Sequence, residues 1–234
     1  MSLAEFNIKI HQPKGLSSWR KLYLKFVEHI MPESITEVGS GSADFLIALP
    51  KKIKKTAIDG GERFKKDFLQ AGIKFFCCDL DHDNLPKINK QALIICSDVF
   101  EHLLYPERTL KWIHYSLSPN GIFISHVPNE FVLKKTLRVM LGNAESNIYS
   151  HAHCSEYNHP HLHRFTDIGF KKFLDYKFKY NIKITELRYG KLPKTIKYIG
   201  FKVPYMFEMG PTYISTNNKE QYNKILSIKK KIKF

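Results

Sequence analysis

The run Ile35-Thr36-Glu37-Val38-Gly39-Ser40-Gly41-Ser42-Ala43-Asp44-Phe45 constrains this chain more than any other stretch. An apolar strand ends in an acid and a glycine turn, and a helix opens directly after it. Gly39 and Gly41 let the backbone turn tightly and approach a ligand with no Cβ in the way. The helix that starts near Ser42 aims its unpaired N–H groups at the same place. The pattern marks a seat for a nucleotide-like ligand.

The flanks narrow the ligand. A pyrophosphate-binding loop continues Gly-x-Gly-x-x-Gly, but Asp44 stands at the third glycine position and Glu37 precedes the first. An acid-framed turn suits a ligand with a cationic centre and no phosphate. S-adenosylmethionine, with a sulfonium, an ammonium and a ribose, fits that description, so the flanks favour a methyl donor.

The rest of the chain supplies a sheet for this turn. Apolar periodicity predicts a helix from Ser17 or Ser18 to Ile30, carried by Trp19, Leu22, Tyr23, Phe26, Val27 and Ile30. Strands at 34–38, 54–58, 73–78, 92–97 and 121–127 then alternate with helices at 42–49, 62–71 and 106–117. Such alternation predicts a doubly wound α/β fold with a mostly parallel sheet. Ligands bind outside the carboxyl ends of such strands. Four successive strands end in acids: Glu37, Asp59, Asp79 and Asp98. Each alone reads equally well as a helix-capping loop acid. Asp59 lies about twenty residues beyond the first glycine, the spacing at which a carboxylate grips ribose hydroxyls. Asp79-Leu80 offers an adenine ring one polar and one apolar contact.

With these residues in order, the sequence resembles the class I S-adenosylmethionine-dependent methyltransferases of the type 11 and type 23 groups. The resemblance rests on Glu37-Val38-Gly39-Ser40-Gly41, Asp59, Asp79-Leu80 and, above all, Asp98-Val99-Phe100-Glu101-His102-Leu103. Pro106-Glu107-Arg108-Thr109-Leu110 and Leu117-Ser118-Pro119-Asn120-Gly121 follow, so that 34–176 is covered. It implies a Rossmann-like, seven-stranded sheet with an antiparallel last strand. It also implies S-adenosyl-L-methionine as cofactor, held by Glu37, Gly39, Ser40, Gly41, Asp59, Gly60, Asp79, Leu80, Ser97 and Asp98. Ser42 or Ala43 stands where the family usually has a further glycine.

The acceptor side follows the fifth strand. Pro128-Asn129-Glu130-Phe131, Leu137 to Asn143 and His161-Leu162-His163-Arg164-Phe165-Thr166 resemble the substrate-side segment of type 23 relatives. Methyl transfer to a hydroxyl needs positioning and a proton acceptor, for which histidine is the usual group. His161 and His163 are therefore the first catalytic candidates, and His102 is a third. His151, His153, His159 and Cys154 crowd the same segment. If the stretch is extended, His159, His161 and His163 share one face and could hold a metal; a solvated loop without chemistry is the other reading. Asp98, Glu101 and His102 are similar to the acid-acid-histidine motif that quinone-biosynthesis O-methyltransferases associate with a divalent cation. No metal is assigned from the sequence; were one held there, oxygen donors would favour magnesium.

Composition sets the outer limits. A chain of 234 residues, 43% apolar, sustains one substantial core. The expected organisation is one methyltransferase domain over 1–218, with a helical extension at 1–33, a substrate-side insertion at 128–166 and a basic tail at 219–234. A net charge of +15 invites polyanions, but the lysines are dispersed. The Asn/Asp-Pro-Pro-Tyr/Phe stretch of amino-methylating nucleic-acid enzymes is absent after strand four. Nucleic acid is thus disfavoured as a partner, and the expected acceptor is a small molecule, a glycan or a lipid-linked intermediate, methylated on oxygen. An RNA or DNA methyltransferase and a non-catalytic donor-binding protein are the alternatives. The tail reads as a basic amphipathic helix that offers peripheral membrane contact, or as a frayed end. Cys77, Cys78 and Cys96 lie in strand-like runs and read as buried reduced thiols. Without a spanning or signal segment, a cytoplasmic protein is expected; the oligomeric state is left open.

Overall fold

The computed structural model describes residues 16, 18–142, 161–184 and 210–232. Its helices and strands run in the order α1 (Ser18–Ile30), β1 (Ser34–Val38), α2 (Asp44–Ala48), β2 (Lys54–Asp59), α3 (Lys65–Gln70), β3 (Lys74–Cys77) and β4 (Gln91–Ser97). They continue with a 3-10 turn (Phe100–His102), α4 (Pro106–Ser116), β5 (Leu117–His126), α5 (Leu133–Met140), α6 (Asp167–Asp175), β6 (Tyr180–Ile184), β7 (Thr212–Thr216) and α7 (Lys219–Ile232). The strands form one seven-stranded sheet in the order β3-β2-β1-β4-β5-β7-β6. β1 to β5 pair in parallel, and β7 lies antiparallel between β5 and β6. This is the expected fold, with its antiparallel last strand.

Alternation along the strands divides the core between two faces. Leu93 and Ile95 of β4 join Tyr23, Phe26 and Val27 of α1, Phe45 and Leu46 of α2, Phe68 of α3 and Ile225 and Ile228 of α7. Ile94 and Cys96, pointing the other way, meet Leu110 and Ile113 of α4 and Phe170 and Leu174 of α6. The apolar stripe of α1 is therefore spent on the core, and the helix ends where Met31 turns to φ 48° and donates its N–H to the Val27 carbonyl at 2.7 Å. The basic segment from Lys219 is α7, and its Ile225 and Ile228 are buried on the same face. That apolar side packs on the sheet. Lys229, Lys230 and Lys231 sit in its last turn, where cations complement the helix dipole.

Two local expectations are corrected. β5 starts at Leu117 and not at 121, because Leu117 already pairs with Gln91 ahead of a register shift between Gln91 and Leu93. Cys78 and Cys96 are buried thiols, whereas Cys77 is exposed. It closes β3, which has a neighbour on one side only, so side chains there are covered less. Cys154 lies outside the described residues.

Candidate active site

The sheet order reverses between β1 and β4, and the crevice at such a switch point is where α/β folds bind ligands. Nearly every residue expected at the site sits along this edge. Gly39 takes φ +67° and Gly41 φ +54°. A Cβ on Gly39 would come within 2.2 Å of Val99 Cγ2, so glycine is required there both by conformation and by the β4 loop packed over it. The Gly39 and Ser40 N–H groups donate to the Ile58 carbonyl at 2.8 and 3.2 Å. Asp59 closes the loop from β2: its carboxylate accepts the Gly41 N–H at 2.7 Å and the Gly61 N–H at 3.0 Å. Gly60 lies between them with space beside it, its nearest neighbour being the Cys78 carbonyl at 3.9 Å from an ideal Cβ.

α1 reaches into this loop. Arg20 donates to the Ser40 carbonyl at 2.9 Å, to Ser42 Oγ at 3.1 Å and to Glu37 Oε1 at 3.3 Å. Tyr23, one turn on, shares a 3.0 Å hydrogen bond with Ser97 at the end of β4. The Glu37 side chain is 6% exposed. Burial pushes its carboxyl up to about 8, against the pull of the Arg20 guanidinium and with a smaller push from Asp59. Glu37 Oε2 and Ser40 Oγ are buried without a hydrogen-bond partner among the described residues. Buried polar atoms of this kind call for a partner.

The third strand-end acid is arranged by its own loop. Asp79 accepts the N–H groups of Asp81 at 2.9 Å and His82 at 3.2 Å, and contacts the His82 ring at 3.1 Å. Burial pushes its pKa up, but these hydrogen bonds outweigh it and hold the group below the ordinary carboxylate range. Arg108 of α4 gathers the loop by donating to the carbonyls of Leu80 at 3.0 Å, Asp81 at 2.6 Å and Asp83. Leu80 is buried beside it.

Beyond β4 the backbone turns at Asp98, a non-glycine residue at φ 56°. Its side chain is 59% exposed and faces His126 Nε2 at 3.5 Å. His126 closes β5, is buried, bonds Thr212 Oγ1 at 2.9 Å, and is held below the ordinary imidazole range by burial despite Asp98. Glu101 points inward at 1% exposure. Neither of its carboxylate oxygens has a hydrogen-bond partner among the described residues. Burial, with Asp98 and Glu130 adding negative potential, pushes its pKa well above the usual range.

Segment 161–165 alternates between half-buried and exposed positions, as an extended strip laid over this turn. The His163 N–H donates to the Glu101 carbonyl at 3.0 Å. That bond sets the strip so that His161 meets His102, ring centroids 4.8 Å apart, and Glu101, His102 and His161 bring ligand atoms within 4.8 Å of one another. His161 Nδ1 lies 2.8 Å from Glu130 Oε1, whose side chain is 6% exposed. His163 is not part of the cluster; its ring lies against Phe165 at 6.0 Å. Asp98 is likewise outside it. His151, His153 and His159 lie outside the described residues.

Sequence reasoning missed Arg20, Arg108 and His126, and it placed Glu130 only within the substrate-side stretch 128–131, with no role of its own. Glu130 and His126 carried a usable signal, since both stand at the carboxyl end of the fifth strand. Arg20 and Arg108 lie on helices and become visible only when those helices are packed.

A sequence profile of the methyltransferase-domain family of type 23 matches residues 11–172. The chain belongs to this methyltransferase family. Its fold is shared by a Thermotoga maritima S-adenosylmethionine-dependent methyltransferase described as a possible histamine N-methyltransferase, at TM-score 0.58 and 12% identity over 93% of this chain and 100% of the other. A Clostridium acetobutylicum S-adenosylmethionine-dependent methyltransferase aligns at 0.55 and 13%, over 85% and 90%. The plantazolicin methyltransferase BpumL in complex with SAH aligns at 0.56 and 14%, over 85% and 82%. No curated protein sequence matches the chain. The protein is thus a class I S-adenosylmethionine-dependent methyltransferase. The switch-point loop of this methyltransferase fits the cofactor in its polar atoms: Glu37 Oε2 and Ser40 Oγ are buried without a hydrogen-bond partner among the described residues.

Proposed function

We propose that this methyltransferase acts on a hydroxyl oxygen of a small molecule, a glycan or a lipid-linked intermediate, and that the acceptor loses its proton at the cluster of Glu101, His102 and His161. The observation that carries the reading is the Glu130–His161 contact beside the buried Glu101, at the β4 end of the donor crevice. Two imidazoles meet carboxylates here, next to the further contact of His126 with Asp98 at 3.5 Å. A carboxylate on Nδ1 fixes the tautomer and orientation of an imidazole and stabilises positive charge at Nε2.

Bound S-adenosylmethionine supplies an electrophilic methyl group on a sulfonium, so the acceptor oxygen forms its bond to carbon as the carbon–sulfur bond breaks. The protein's task is mainly to hold and orient. Asp59, fixed by two backbone N–H groups, takes the ribose-binding role, Asp79 and Leu80 take the adenine, and Glu37 takes the cationic methionine end. Ser97 and Asp98 line the path toward the acceptor. The strip 161–165 covers the acceptor side.

The test is turnover of labelled donor against separated small-molecule, glycan and lipid pools, with the linkage in the product identified by mass spectrometry and NMR. An O-methylated product, and a Glu130→Gln variant with depressed kcat and unchanged donor affinity, is the expected result. Label appearing on nitrogen or in nucleic acid refutes the reading.

A further inference from the structure

We propose that Glu101, His102 and His161 bind a divalent transition-metal cation, with Glu130 as the carboxylate that orients His161. The inference deepens the acceptor reading above and rests on it for its catalytic consequence, though not for the binding itself. Three features of the cluster lead there.

The first is geometry. The three side chains come from the turn after β4 and from a strip some sixty residues on, yet their ligand atoms all fall within 4.8 Å of one another. Ligands with metal bonds near 2.0–2.1 Å around a tetrahedral ion lie about 3.3 Å apart. Ligation draws these atoms together by at most about 1.5 Å.

The second is Glu101. At 1% exposure it is a buried carboxylate aimed into the cluster; neither oxygen has a hydrogen-bond partner among the described residues, and His102 Nε2 lies 3.8 Å from Oε1. An ionised carboxylate in such a place is costly without a counter-charge. A bound cation supplies the charge and accepts the oxygen.

The third is Glu130. His161 uses Nδ1 toward Glu130 at 2.8 Å, which leaves Nε2 as its ligand atom. A metal-bound histidine commonly shows this arrangement, its second nitrogen donating to a carboxylate.

The donor set also selects the ion. Two imidazoles and one carboxylate suit zinc or a neighbouring first-row ion better than magnesium, which prefers oxygen alone. Three protein ligands leave the coordination sphere open, as in catalytic sites. An acceptor hydroxyl bound in the open position becomes more acidic; its proton leaves to solvent, and its oxygen lone pair forms the bond to the methyl carbon while the carbon–sulfur electron pair returns to sulfur. The imidazoles then serve as ligands instead of as the proton acceptor, and the cation does the acidifying.

The experiment is zinc titration of the chelator-stripped full chain by calorimetry, with elemental analysis after dialysis. Binding of SAH is measured on the same samples. One tight equivalent is expected in the wild type, lost in Glu101→Gln and in His161→Asn, and weakened about 10–100-fold in Glu130→Gln. His163→Asn and Asp98→Asn keep it. Cobalt substitution of the wild type provides a readout that needs no variant: paramagnetically shifted ring protons from two histidines. The inference is overturned if the wild type takes up no equivalent, if the equivalent survives in Glu101→Gln/His161→Asn, or if cobalt shows no histidine ligation. Absent SAH binding with metal binding intact would refute the methyltransferase reading alone. Intact SAH binding without metal would refute only this proposal.

Discussion

Arg20 Nη2 lies 3.3 Å from Glu37 Oε1, and through this contact the first helix is tied to the acid that opens the glycine turn. The guanidinium also holds the Ser40 carbonyl and Ser42 Oγ, so one side chain spans the turn from end to end. Even so, burial dominates at Glu37, and its pKa rises from 4.5 to about 8.

Donor binding should therefore release a proton near neutral pH. A cationic ligand beside Glu37 favours the carboxylate and lowers its pKa, so affinity for S-adenosylmethionine should strengthen as pH rises toward 8 and level off above it. The slope approaches tenfold per pH unit where the bound form is ionised and the free form is not. Calorimetry in buffers of different ionisation enthalpy reads the released proton directly. Glu37→Gln should remove both the proton release and the slope; a pH-independent wild-type affinity between 6 and 8 contradicts the assignment.

The same shift sets the stability of the ligand-free protein. Because the folded-state pKa is raised, the contribution of Glu37 is most favourable below the unfolded value and is lost as pH climbs through about 8. Glu37→Gln should thus raise Tm relative to wild type at pH 9 and not at pH 4. Equal shifts at both values would show that its ionisation does not limit stability.

Gly39→Ala introduces a Cβ that meets Val99 Cγ2 at 2.2 Å, on a residue at φ +67°. The left-handed conformation alone costs about 1–3 kcal/mol for a non-glycine residue. Urea unfolding of Gly39→Ala, Val99→Ala and the double variant separates the two effects. The double variant should recover the clash and keep the conformational cost, a coupling that full additivity would disprove.

Arg108→Lys should weaken donor binding without touching the cluster of Glu101, His102 and His161. The guanidinium fork serves the carbonyls of Leu80, Asp81 and Asp83 at once, and an ammonium lacks that planar geometry. The expected change is a rise in donor Kd of about tenfold, equivalent to one lost charge-assisted hydrogen bond. Acceptor KM should stay put; if it moves instead, the loop belongs to the acceptor side.

Much of the fold was legible because its signals are local. The alternation of apolar strands with helices, the glycine turn and the acids at the ends of the first four strands are periods and spacings within short windows. They led to a parallel sheet and to Glu37, Asp59, Asp79 and Asp98 along one edge. Where pairing decided the matter, the reading slipped. β5 begins at Leu117 because Gln91 pairs with it across a register shift, and Cys77 is exposed because β3 is the edge strand.

The glycine turn and the acids around it were thus written in the sequence itself, since a loop that turns tightly between a strand and a helix must show its glycines and acids in order. The proposed acceptor side was a choice among histidines that no spacing could rank. Only the packed chain separates His161 from His163, through one hydrogen bond from the His163 N–H to the Glu101 carbonyl and one carboxylate, Glu130, on His161 Nδ1. Those contacts join segments far apart along the chain, and the distance between such segments is set by the sheet and helices that lie between them.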